Sequence, residues 1–267
     1  MIEIHDMPKG YNNTFFPGAS AEWREIQYDS GVTGTKRHAN VILPGGYDES
    51  RKYPVLYLLH GIGGDENEWK LAYPEIISAN LVQEKKAPEM IIVLVNVRAR
   101  ADDRVPDELF SIEHFQAFDA FREDLTEYLM PYMEAHFPIL KGRESTAIAG
   151  LSMGGRESLY IGLTRTDRFG YIGAFSPAFG LLPYTNNSVS EEGLLGEEGL
   201  RLSEEHAEDT FVMIVHGTTD TVVWDEPLRY HEAMERNGSN HIFYRTEGGH
   251  DFTVWSNGLY IFLQQIF

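Results

Sequence analysis

Ten residues, Ala147-Ile148-Ala149-Gly150-Leu151-Ser152-Met153-Gly154-Gly155-Arg156, constrain this chain more than any others. An apolar run with strand character enters Gly150, and a helix-compatible run, Arg156 to Ile161, leaves on the other side. Between them stands Gly-x-Ser-x-Gly. A serine on so sharp a strand-to-helix turn is held in a strained backbone, and side chains two residues before and after it would clash, so glycine fills both positions. The turn exposes the hydroxyl at the positive end of the helix that follows. Five residues alone are a weak signal, because glycine and serine are common. The strand before and the helix after make Ser152 a nucleophile candidate rather than part of an ordinary glycine-rich turn.

The rest of the chain supplies more strands and helices in alternation. Trp23 to Tyr28 and Thr35 to Leu43 read as paired strands around a turn at Ser30 to Gly34. Val55 to Leu59, Met90 to Val95, Thr146 to Ala149, Tyr171 to Phe175 and Phe211 to Val215 are short apolar runs, as expected of strands buried on both faces of a parallel sheet. His241 to Arg245 is the last strand. Helices are expected over Pro74 to Lys86, Phe115 to His136 with a bend at Met130-Pro131, Met153 to Arg165, Leu228 to Asn237 and Val254 to Phe267. Such alternation with short turns predicts an α/β fold with a mostly parallel, doubly wound sheet and helices on both faces. No linker-like segment cuts the chain, so residues 1–267 are expected to form a single domain. Within it, 1–22 read as a surface arm and 177–209 as an acidic excursion over the sheet edge.

Composition narrows the chemistry. With 42% hydrophobic residues the chain can bury a sizeable core. The 22 basic and 41 acidic side chains leave a formal charge of −19, which argues against nucleic acid and anionic membranes as partners. With no cysteine there are no disulfides, thiolate metal sites or cysteine nucleophile. No apolar run is long enough to span a bilayer, and the first residues, Met1 to Pro8, do not read as a secretory signal. The expected location is cytoplasmic, with a secreted mature or excised domain as the alternative.

In open α/β sheets the working residues collect at the carboxyl ends of strands. Here those ends carry Gly61-Ile62-Gly63, Ser152, Asp220 and His250, and the last three fall in the order serine, acid, histidine of the α/β-hydrolases. A serine hydroxyl needs a base to take its proton, and His250 is the candidate. Asp220 would fix its tautomer and balance its charge, with Asp225 and Asp251 as rivals. A tetrahedral oxyanion needs preorganised donors. The backbone N–H of Met153 is one, and that of Ile62 the expected second. His60 and His216 end buried strands and read as structural, and His114 as a helix-start or surface residue. Trp69 and Trp255 are candidates for flanking the cleft, with plain packing as the alternative. Phe110 and Phe179 are further candidate aromatic walls. Glu134 with His136, and Glu204 to His206, lack the spacing of a zinc helix, and no metal is expected.

Three stretches resemble the feruloyl esterases of carbohydrate esterase family 1. They are Tyr53 to Gly64 followed by Glu68-Trp69, then Ala147 to Gly155, then Gly248 to Trp255. The resemblance runs from about Arg24 to Phe267, and its motifs are shared with the wider esterase D-like superfamily. It implies the α/β-hydrolase fold and hydrolysis of hydroxycinnamoyl esters of plant cell-wall sugars, without a cofactor. It also implies Ser152 as nucleophile, His250 as base, Asp220 as acid, and Ile62 and Met153 as oxyanion donors. The expected partner is a small-molecule or oligosaccharide ester. The competing readings are an acetyl esterase, an S-formylglutathione-type thioesterase, and a non-catalytic carbohydrate-binding module. Residues 98–114, rich in charge, and 177–209 depart from xylanase-linked relatives and are expected to overhang the cleft.

Overall fold

The computed structural model describes residues 4–186 and 189–267. Residues 1–3 of the expected arm and 187–188 of the acidic excursion lie outside the described residues. Strands β1 (Ala21–Ser30) and β2 (Thr35–Pro44) form an antiparallel hairpin, with Ser30 opposite Thr35. The turn between them is glycine-rich, and Gly34 adopts φ +69° there. Strand β3 (Val55–Leu59) follows, then helix α1 (Pro74–Gln83) and strand β4 (Ile91–Val95). A helical run over Ile112 to His136 comes next, in three α segments: α2 (Ile112–Asp119), α3 (Phe121–Asp124) and α4 (Met130–His136). Strand β5 (Thr146–Leu151), helix α5 (Met153–Thr164) and strand β6 (Tyr171–Phe175) make the centre of the fold. The excursion holds a short antiparallel pair, β7 (Tyr184–Asn186) and β8 (Val189–Glu191), and one helical turn, α6 (Gly196–Gly199). The chain closes with β9 (Phe211–Gly217), α7 (Glu226–Arg236), β10 (Ile242–Thr246) and α8 (Phe252–Leu263).

Eight strands form one sheet in the order β1-β2-β4-β3-β5-β6-β9-β10. Within this sheet the pairs from β4 through β3, β5, β6 and β9 to β10 are parallel, and among the described residues its antiparallel pairs are β1–β2 and β2–β4. Side chains alternate across each strand, so the apolar runs feed two cores. Tyr57, Val93, Ile148, Ile172 and Ile214 face α5, α7 and the Ile112–His136 run. Leu56, Leu58, Leu94, Ala149 and Val215 face α1 and α8. This is the doubly wound α/β architecture expected from the alternating runs.

Three features differ from the sequence expectation, beyond shifts of a few residues at several element ends. The long helix begins at Ile112, not Phe115, because Ser111 caps it: its hydroxyl accepts the His114 N–H at 3.2 Å. It is also not one helix. Leu125–Leu129 widens into a π turn, with the Met130 N–H reaching back to the Leu125 carbonyl. Pro131 has no N–H and its ring presses toward the carbonyl four residues back, so a wider turn ahead of it removes the conflict. The third difference is the excursion, which does not lie over the sheet edge. It joins β6 to β9, two interior strands, and buries Leu181, Leu182, Leu200 and Leu202 in the same core as Tyr230 and Met234 of α7. The Tyr230 hydroxyl donates to the Ala178 carbonyl at 2.7 Å. Leucines spaced among the acids anchor the segment, a pattern hidden by its net charge.

The N-terminal arm is fastened on the α1/α8 face. Asp6 Oδ1 accepts hydrogen bonds from Tyr244 (2.6 Å), Thr246 (3.2 Å) and Asn257 (2.6 Å). Tyr11 is buried edge-on against Tyr260.

Candidate active site

The turn after β5 has the geometry that its glycines require. Ser152 holds φ 52° and ψ −117°, a conformation that a non-glycine residue adopts only under constraint. Its N–H donates to the Phe175 carbonyl at 2.8 Å, and its carbonyl accepts from Arg156 and Ala178, both at 3.0 Å. A β-carbon on Gly154 would stand 2.4 Å from the Leu59 carbonyl oxygen, and one on Gly150 2.4 Å from the Gly154 oxygen. The start of α5 is therefore pressed against the end of β3. That contact brings the His60–Gly64 loop beside the serine, where a β-carbon on Gly61 would come within 3.4 Å of Ser152 Cβ.

Two other strand ends complete the arrangement. His250, between β10 and α8, places Nε2 2.9 Å from Ser152 Oγ. Its Nδ1 lies 2.8 Å from Asp220 Oδ2, on the turn after β9. An ionised carboxylate only accepts, so Nδ1 carries the proton and Nε2 is left to accept from the serine hydroxyl. The other oxygen of Asp220 accepts the Val222 and Val223 N–H groups at 2.9 and 3.1 Å. Burial opposes the charge on Asp220, but the His250 contact and these two N–H groups outweigh it and hold the carboxyl below its usual range. The rival acids stand elsewhere: Asp251 caps α8 by accepting the Thr253 N–H at 2.8 Å, and Asp225 directly precedes α7.

The loop after β3 contains a further residue of the site that was not among the expected ones. Glu68 Oε2 accepts the Gly61 N–H at 2.6 Å. Burial raises the Glu68 carboxyl above its ordinary range, while this bond and the nearby His250 pull the other way. The Gly64 N–H is taken by the Gly61 carbonyl at 3.1 Å, so the Ile62 and Gly63 N–H groups are the donors left in that turn. The Ile62 side chain packs against the core. The Met153 N–H is the first of α5 and has no intrahelical acceptor. Glu68 stands next to Trp69 in one of the stretches that carry the family resemblance, but nothing in its spacing shows that it folds back onto Gly61.

Both tryptophans offered as cleft walls are packing residues. Trp69 is 1% exposed. Its Nε1 donates to the Leu59 carbonyl at 2.8 Å, and its ring meets Phe175 and Phe252 edge-on. The apolar neighbours and the single backbone acceptor drew it under the site. Trp255 is 7% exposed and lies edge-on to the His250 ring at 5.0 Å, so it packs behind that ring. Phe179 is half-buried between Phe115 and Tyr184, whereas Phe110 is exposed. His60 is structural, as expected. Its Nε2 accepts the Val97 N–H at 2.9 Å and its Nδ1 donates to the Gly61 carbonyl at 2.6 Å. Burial lowers its pKa to about 4. His216 is buried at the end of β9, with its pKa lowered by desolvation. His114 is buried in the first turn of α2, not on the surface, and its Nδ1 donates to the Leu109 carbonyl at 2.8 Å.

A nucleophile elbow at residue 152, aligned with a histidine and an acid from later strand ends, is the pattern of a large group of hydrolases. The family model described as "Putative esterase" matches residues 30–264. This chain belongs to the esterase family. Within it the chain falls in carbohydrate esterase family 1. It is 39% identical to the CE1 ferulic acid esterase of the anaerobic fungus Anaeromyces mucronatus. The two structures superpose with a TM-score of 0.90 over 100% of this esterase and 98% of the fungal chain. The fungal enzyme in complex with ferulic acid superposes with a TM-score of 0.87. The esterase is also 35% identical, over 160 residues, to an endo-1,4-beta-xylanase/feruloyl esterase of Xylanibacter ruminicola. That match takes in 57% of this chain and 21% of the bacterial one. It is 26% identical over 131 residues to the iron(III) enterobactin esterase of Escherichia coli, covering 49% of this chain and 32% of that one. This esterase thus spans a fifth to a third of the length of these two bacterial relatives.

Proposed function

We propose that this esterase hydrolyses hydroxycinnamoyl esters of plant cell-wall sugars through a seryl acyl-enzyme. The observation that carries the mechanism is the hydrogen-bonded line from Asp220 through His250 to Ser152, at 2.8 and 2.9 Å. The acyl group follows from the 39% identical fungal relative, which is a ferulic acid esterase solved with ferulic acid bound.

Ser152 Oγ attacks the ester carbonyl carbon as its proton passes to His250 Nε2. The imidazolium that forms keeps its Nδ1 proton and donates it in a hydrogen bond to Asp220, whose depressed pKa keeps the carboxylate charged. The carbonyl oxygen becomes an oxyanion and takes hydrogen bonds from the Met153 and Ile62 N–H groups. Collapse breaks the bond to the alcohol, whose oxygen leaves with the proton held on His250 Nε2. Water then enters, gives a proton to the same nitrogen and attacks the acyl carbon. The second collapse returns that proton to Ser152 and releases the acid. Every proton taken is given back, so the residues present complete the cycle.

Turnover of methyl ferulate, an acetylated xylan and a thioester at pH about 7 tests the acyl assignment. The expected order places methyl ferulate first in kcat/KM. Equal or better turnover of the acetyl ester overturns the hydroxycinnamoyl reading, and no turnover of any ester overturns the mechanism.

A further inference from the structure

Past Asp220 the chain runs Thr221-Val222-Val223-Trp224-Asp225 before α7. Val223 is buried, whereas Val222 is 59% and Trp224 67% exposed. Trp224 also holds φ +49°, a left-handed conformation that a residue with a bulky side chain adopts at a steric cost. The turn cannot drift, because Asp220 Oδ1 accepts the Val222 and Val223 N–H groups. A solvent-facing indole on a strained backbone, fixed by two hydrogen bonds to the acid of the proton relay, is not explained by packing. Strain and exposed apolar surface of this kind collect where a ligand is held.

The chemistry of ester cleavage says which half of the substrate reaches this turn. The oxyanion faces Ile62 and Met153, on the β3 side of Ser152. The leaving oxygen must meet His250 Nε2, so the alcohol lies toward His250. Asp220 holds that histidine from behind, and residues 221–224 continue from Asp220. We propose that Trp224, flanked by Val222, is a platform on which the sugar of the ester's alcohol half stacks its C–H face. The net charge of −19 favours a neutral sugar over a uronic acid in that position. The inference rests on the catalytic reading of Ser152, His250 and Asp220 given above.

The test compares a feruloylated arabinoxylo-oligosaccharide with methyl ferulate, whose methanol half is too small to reach the indole. Trp224→Gly removes the ring and suits the left-handed backbone, and Trp224→Phe keeps an aromatic face. For Trp224→Gly, kcat/KM on the oligosaccharide ester is expected to fall about two- to tenfold, mainly through KM, which is the range of one aromatic contact. Its rate on methyl ferulate stays within about twofold, and its Tm is no lower than that of the wild type. Trp224→Phe retains most of the oligosaccharide rate. Equal losses on both substrates, with a lower Tm, would make Trp224 a structural residue and overturn the proposal. So would an undiminished rate on the oligosaccharide ester. If the wild type cleaves no feruloyl ester, the acyl assignment fails by itself. The same comparison then runs with an acetylated xylo-oligosaccharide against methyl acetate, and a loss confined to the sugar ester still supports the platform.

Discussion

Ser152, His250 and Asp220 come from three separate strand ends and touch only because the sheet aligns them. Removing the hydroxyl with Ser152→Ala is expected to leave a folded protein with kcat lowered by about three or more orders of magnitude. A variant keeping more than about a tenth of the wild-type rate excludes Ser152 as nucleophile. Asp220→Asn is expected to lower kcat far more than Asp225→Asn or Asp251→Asn, since only Asp220 meets the His250 ring. A reversed ranking moves the role to the more damaging position. In the mechanism proposed above, Glu68 acts one step away, by holding Gly61 and through it the Ile62 N–H. Losing an oxyanion donor outright costs about a hundred- to a thousandfold, so loosening its loop with Glu68→Ala should cost about tenfold in kcat with KM nearly unchanged. Glu68→Gln keeps an oxygen acceptor and should recover most of that rate. If Glu68→Gln fares no better than Glu68→Ala, the hydrogen bond to Gly61 is not the reason for the loss.

At the scale of elements, the site depends on how closely α5 approaches β3. Gly154 permits the contact, with the Leu59 and His60 carbonyl oxygens 2.4 and 2.5 Å from where a β-carbon would stand. Backbone atoms cannot swing aside as a flexible side chain can. Gly154→Ala should therefore destabilise the fold by about 1–3 kcal/mol, as overpacking does, and displace the Met153 N–H. Urea denaturation reads the first effect and kcat the second; wild-type values for both would show that the contact can relax. The N-terminal arm is the other element with a defined fastening. Burial opposes the charge of Asp6, but donors from Tyr244, Asn257 and Thr246 outweigh it and lower its pKa. The arm's bonds to β10 and α8 are accordingly present above the ordinary carboxylate range and are lost as pH falls through the lowered value.

Across the whole molecule, His60 ties stability to pH. Its folded pKa is about 4, against about 6.5 for a free histidine, because burial disfavours the charged ring. Below pH about 6.5 the unfolded chain takes up a proton that the folded chain refuses. The stabilisation is complete above that value and declines as pH falls toward about 4, by up to ~3 kcal/mol. The urea midpoint should drop between pH 7 and 4.5, and drop less in His60→Gln. Identical slopes for the two proteins would assign the loss to other groups.

The sequence alone determined most of the architecture, because each strand buried on both faces had to be an unbroken apolar run. Val55 to Leu59 and Tyr171 to Phe175 were legible for that reason, with the same limits as the observed β3 and β6. Ser152, Asp220 and His250 were legible because each stands at a strand end among glycines or turn residues, in an order peculiar to one fold. Only the tertiary structure decided what lies around them. Trp69 and Trp255 carry the same residue type as Trp224, yet the first two are packed under the site and the third faces solvent. A side chain's burial depends on neighbours from distant segments, as Phe175 and Phe252 enclose Trp69, and local pattern does not encode them. The same holds for Glu68, whose carboxylate is placed by the turn of the chain back onto Gly61. It holds also for the excursion, where widely spaced leucines found a shared core with α7 behind an acidic surface.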